Sequence, residues 1–93
     1  PYGTEVTVAV LTAVERAEAA LRRLGFDDLR VRHLDDTARI EVPIDRLPDL
    51  LEQRAEVVAA VAGVGYAYVT LDLEGLRSGN LNRALKGGKP GSG

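Results

Sequence analysis

Apolar residues recur along the chain at two different spacings, and the switches between them mark out its elements. Val10, Leu11, Val14, Ala17, Leu21 and Leu24 fall three or four apart, the interval that lines one face of a helix. Thr7 is placed to cap this helix and Gly25 to end it. From Leu29 to Val42, LRVRHLDDTARIEV, the period drops to two. Read as a hairpin turning at Asp35-Asp36, this stretch sets Leu29, Val31, His33, Ala38, Ile40 and Val42 on one side. Arg30, Arg32, Arg39 and Glu41 take the other. Pro43 removes a backbone donor and closes the second strand.

Helical spacing returns with Leu47, Leu50, Leu51, Ala55, Val58 and Val61 or Ala62, after which Gly63 and Gly65 stop it. Asp45 is placed to cap this region, and Pro48 suits an early turn or a break between two helical pieces. Tyr66 to Leu73 alternates once more, with Ala67, Val69, Leu71 and Leu73 opposite Tyr66, Tyr68, Thr70 and Asp72. The order α-β-β-α-β predicts an α+β fold with two helices packed on the one apolar face of a three-stranded mixed sheet. The helical crossover makes the third strand parallel to the second. The pattern equals a ferredoxin-like fold lacking its first strand, which would come from upstream or from a partner. Past the sheet, Glu74 to Asn80 is a polar, glycine-bearing loop leading into a short helix, Leu81 to Leu85. Backbone N–H groups there, with Arg77, offer an anion a place.

The hairpin carries the most chemistry. If Leu34 pairs with Thr37, Arg32 faces Arg39 and Arg30 faces Glu41. Like charges directly opposite destabilise a sheet, so an arginine pair calls for something anionic between them. Either the face is simply solvated with Glu41 as neutraliser, or the arginines hold a phosphate or carboxylate. His33 is expected to stay with the core, and Tyr66 and Tyr68 to be amphipathic surface aromatics.

Composition narrows the classes. Ninety-three residues, 45% hydrophobic and 28% charged with net charge −2, describe one soluble globular domain and no nucleic-acid polyelectrolyte binder. Residues 1–86 form that domain and the glycine-rich 87–93 a disordered tail. No apolar run approaches the ~20 residues that cross a bilayer, and no signal peptide opens the chain. The expected setting is cytoplasmic. Cysteine is absent and histidine occurs once, which leaves no cysteine nucleophile, disulfide or thiolate metal site. Because the chain opens on Pro1 and contains no methionine, it reads as a piece of a longer protein.

Four blocks carry a family resemblance: PYGT at the start, AEAALRRLGF ending the first helix, LRVRHLDDTARIEVP, and GYAYVTLDLEGLRSGNLN. Together they resemble the C-terminal part of the ATP-dependent sacrificial sulfur transferases, relatives of the PP-loop ATP pyrophosphatases, from Pro1 to about Leu85. The resemblance implies an N-terminal PP-loop domain as partner, using ATP and magnesium to adenylylate a substrate carboxylate. It further implies a sulfur-donating cysteine upstream, a phosphate-bearing small-molecule substrate on the route to the nickel-pincer nucleotide, and a homo-oligomer, often a hexamer. Arg30 and Arg32 match the family's anion-binding arginines, Glu18 and Glu41 its nearby acids, and Asp49 a position where a carboxylate is frequent. The phosphate-binding loop and the cysteine are missing here, so no cofactor is expected in this fragment. Leu76 replaces the usual aromatic of EGYRSG. The expected role is substrate binding and assembly, with Arg30, Arg32, Glu18, Glu41 and Arg77 as the site. The alternative is a freestanding ferredoxin-like ligand-binding or oligomerisation module.

Overall fold

The computed structural model describes residues 7–77. The opening turn of residues 1–4, the short helix expected at 81–85 and the tail at 87–93 lie outside the described residues. Helix α1 spans Val8–Arg23, and Thr7 Oγ1 accepts the Val10 N–H at 3.1 Å as its cap. At the other end Gly25 takes φ +106°, Gly25 N–H donates to Arg22 O and Phe26 N–H to Leu21 O. This paired closure satisfies two terminal carbonyls, and Phe26 packs with Leu21 in the core. Ala17, Ala20 and Leu21 are buried, whereas Leu11 is half exposed and Val8 79% exposed. The helix therefore overruns the sheet at its N-terminal half.

Strands β1 (Arg30–Leu34) and β2 (Thr37–Glu41) form the expected hairpin. Asp35 sits at φ +58°, a conformation that aspartate tolerates better than most residues. The register is as the turn dictated: Arg30 opposite Glu41, Arg32 opposite Arg39, Leu34 opposite Thr37. A short 3-10 turn, Ile44–Arg46, leads to α2 (Leu47–Glu52) and α3 (Arg54–Ala62). Pro48 occupies the first turn of α2, and the break comes later, at Gln53. Leu50, Val57 and Val61 are buried, while Leu51 and Val58 remain exposed and Ala55 faces water. The true stripe lies about one residue round from the expected one. RAEVVAAVA is apolar on nearly every side, so its spacing does not single out the buried face.

Strand β3 (Tyr68–Leu71) pairs with β2 in parallel, giving the order β1-β2-β3 and a mixed three-stranded sheet. β2 and β3 are bonded directly to each other, so an additional strand has room only at an edge. Helices cover the face carrying Val31, Ala38 and Ile40, with Leu21, Phe26, Val57 and Val61 above them. Tyr66 breaks the expected alternation. Ala67 and Tyr68 both donate to Asp36 O, at 2.8 and 3.2 Å, and this local break in the period turns Tyr66 into the core instead of onto the surface. It is 5% exposed. Its hydroxyl lies 2.8 Å from His33 Nδ1, and burial raises its pKa. His33 is half-buried beside it, as expected for a core histidine. No described helix is long and apolar enough to cross a membrane.

Candidate functional site

The face of the sheet that no described helix covers holds the charges. The arginine pair that the register brings together does have an anion between its members, and it is Glu41 of the same chain. Arg32 grips it with two nitrogens, Nε on Oε2 and Nη2 near Oε1, both at 3.2 Å. Arg39 Nη2 donates to Oε2 at 3.1 Å. Two guanidiniums thus neutralise a carboxylate that is only 4% exposed, although it points away from the helices. Charge-assisted, bidentate pairing of this kind is among the stronger polar contacts a sheet face can make.

A second carboxylate extends the cluster. Asp72 Oδ2 lies 3.9 Å from Arg39 Nε and 3.8 Å from Arg77 Nη2. Arg77 arrives from the loop after β3 because Gly75 lets the backbone come close. At φ +83°, a Cβ on Gly75 would meet Ile44 Cγ1 at 2.8 Å and Val42 O at 3.1 Å. Leu76 N–H then donates to Val42 O at 2.8 Å, fastening the loop to the end of β2. Arg77 Nη1 also donates to Glu74 Oε1 and Gly75 O, each at 3.2 Å. Arg32, Arg39, Glu41 and Arg77 line a depression of about 300 Å3. Among the described residues, the buried Nε–H groups of Arg39 and Arg77 have no hydrogen-bond acceptor. A buried donor left unpaired costs about 1–3 kcal/mol, so an acceptor from outside the described residues would stabilise the cluster.

Of the five expected site residues, Arg32, Glu41 and Arg77 meet here, and Arg39 joins them in the role of balancing Glu41. Arg30 is on the same face but exposed, its Nη1 turned back to Leu29 O at 3.1 Å. Glu18 is at the β1 edge, where Oε2 accepts the Val31 N–H at 3.0 Å and Oε1 lies 3.9 Å from Arg22. Asp49 pairs with Arg46 at 3.1 Å, away from the cluster. The loop N–H groups of Glu74, Gly75 and Leu76 are all bonded internally, so that loop supplies a side chain and not a backbone cradle. Asp72 was placed on this face by the period of two but not singled out. Only the pairing of Arg39 with Thr70, its neighbour two residues before, reveals the contact.

Among the described residues no three acidic, histidine or cysteine side chains converge as metal ligands.

No family model matches the chain. Among curated proteins it is 46% identical over 85 residues to the pyridinium-3,5-bisthiocarboxylic acid mononucleotide synthase of Lactiplantibacillus plantarum, covering 91% of the chain and 31% of that protein. It is 47% identical over 87 residues to an uncharacterized protein of Synechocystis, covering 91% of the chain and 32% of that protein. The chain therefore spans about a third of the length of the curated relatives it matches. The resemblance drawn from the four sequence blocks is borne out.

Proposed function

We propose, from the chain's kinship to one third of a pyridinium-3,5-bisthiocarboxylic acid mononucleotide synthase, that it is the C-terminal domain of a PP-loop sulfur transferase of nickel-pincer nucleotide synthesis. Its share of the work is binding. Carboxylate activation with ATP and magnesium, and sulfur transfer, belong to the rest of the parent protein, since this chain has neither a phosphate-binding loop nor a cysteine. The domain holds an anionic group of a nucleotide-like substrate against the open sheet face and takes part in assembly of the parent.

The observation that carries the binding role is that Arg32, Arg39 and Arg77 line one depression and that the buried Nε–H groups of Arg39 and Arg77 have no acceptor among the described residues. Glu41 and Asp72 do two things there. They hold the guanidiniums in place before a ligand arrives, and they offset most of the positive charge. Binding then draws on directed hydrogen bonds more than on net field, so a planar or tetrahedral oxyanion is preferred to a diffuse polyanion. Arg30, exposed on the same face, adds a longer-range contact.

Phosphate, AMP and a pyridine mononucleotide should be titrated into wild type, an Arg32→Ala/Arg77→Ala variant and an Arg30→Ala/Arg32→Ala variant. Saturable binding that weakens about tenfold or more on loss of Arg32 and Arg77 is expected. Equal binding by all three proteins would remove these arginines from the proposal.

A further inference from the structure

The charged face of the sheet runs on past the arginine cluster toward the hairpin tip. The register sets Thr37 between Leu34 of β1 and Tyr68 of β3, and the next row on that face holds Arg32, Arg39 and Thr70. Alternation fixes which way these side chains point. Ala38 and Ile40 are in the core and Val69 and Leu71 pack against it, so Tyr68 and Thr70 lie on the same side as Arg39. Leu34 follows Arg32 to that side by the same rule. Tyr66, two residues before Tyr68, has its ring in the core. Tyr68 does not: it is 61% exposed, and Leu34 is 47% exposed. Leu34, Thr37 and Tyr68 thus form an uncharged shelf one row away from the depression that Arg32, Arg39 and Arg77 line. Same-face rows are about 7 Å apart along a strand.

We propose that this shelf is the ring-binding half of the site, with Tyr68 stacking on the heteroaromatic ring of a mononucleotide whose phosphate lies among the arginines. The inference rests on the reading of the arginine cluster as an oxyanion site. Three features of the shelf suit a ring. The phenol side chain offers a flat apolar surface and has only two χ angles to order when a ligand settles on it. Leu34, on the far side of Thr37, bounds the shelf with aliphatic surface and adds no charge. The step from the shelf to the arginines is comparable to the one a ribose makes between a base and a 5′-phosphate, so one ligand reaches both. Stacking tolerates any ring because every base has a π-face. The shelf therefore selects a ring-bearing phosphate over a bare one without choosing among rings. Arg32, Arg39 and Arg77 supply the charge, and Tyr68 supplies the discrimination.

Titrating inorganic phosphate, ribose 5-phosphate, AMP and nicotinamide mononucleotide into the 93-residue chain separates the two halves of the site. AMP and nicotinamide mononucleotide should bind about tenfold tighter than ribose 5-phosphate, the gain that one stacked ring supplies. Tyr68→Ala should erase that advantage and leave inorganic phosphate and ribose 5-phosphate unchanged. Tyr68→Phe, which keeps the ring, should retain it. Because Tyr68 is mostly exposed, both variants should fold, with circular dichroism confirming it. Equal wild-type affinity for ribose 5-phosphate and the two mononucleotides would overturn the shelf and leave the anion site standing. So would a Tyr68→Ala protein that keeps the mononucleotide advantage, or one that loses inorganic phosphate as well, since the residue would then act through the arginines. A wild type that binds none of the four would overturn the anion reading and this inference with it.

Discussion

The two faces of this small sheet are built on opposite principles. On the covered face, Val31, Ala38 and Ile40 meet Leu21, Phe26 and Val61 in a dry contact whose strength comes from area removed from water. On the open face, Arg32, Arg39 and Arg77 surround Glu41 and Asp72, and the strength lies in direction and pairing. The same backbone alternation supplies both, so every second residue of the hairpin enters the core, while Arg32, Arg39 and Glu41 between them enter the charge network. What differs is tolerance. Apolar packing loses in proportion to the volume removed, whereas a charge network left with one member missing is worse than no network.

Four substitutions would sharpen that contrast. Leu21→Ala on the covered face should cost about 3 kcal/mol in urea unfolding, while the remaining folded protein keeps its anion affinity. Glu41→Ala on the open face should cost about 2 kcal/mol, because it sets two guanidiniums against each other. An equal or greater stability for Glu41→Ala would mean that the carboxylate is not what holds Arg32 and Arg39 together. Arg32→Ala should lower stability by less than about 1 kcal/mol, since its side chain is half solvated, yet weaken phosphate binding about tenfold. Retained binding would separate Arg32 from the site.

The smallest effect concerns Tyr66. Burial raises its pKa above the ordinary 10.0, so the unfolded chain releases that proton more readily than the folded one. Its stabilising contribution is fully present below pH 10 and fades as the pH rises through the folded value. Tyr66→Phe should flatten the alkaline limb of the stability–pH profile, and an unchanged limb would contradict the burial argument.

Much of this was legible in the chain, for identifiable reasons. The hairpin, its register and the sorting of its charges follow from a period of two and a two-residue turn, both local. The buried face of the α2–α3 region did not follow, because Leu51 and Val58 are as apolar as Val57 and Val61 and only tertiary packing chooses between them. Tyr66 was misplaced because two N–H groups share Asp36 O, a contact spanning thirty residues that leaves no mark on local spacing. The site was half legible. The arginine pair demanded an anion, but which anion depended on the reach of Glu41 along its own strand. Assembly of Arg77 and Asp72 around Arg39 required the parallel pairing of β2 with β3 and the close approach at Gly75.

The most direct test of the open face as an anion site follows the side-chain Nε–H signals of its arginines in a proton–nitrogen correlation spectrum while inorganic phosphate is added. The signals of Arg39 and Arg77 should move together and saturate at one ligand concentration, with Arg30 nearly still. If they do not move, or move no more than Arg30, the two buried donors are not a binding site.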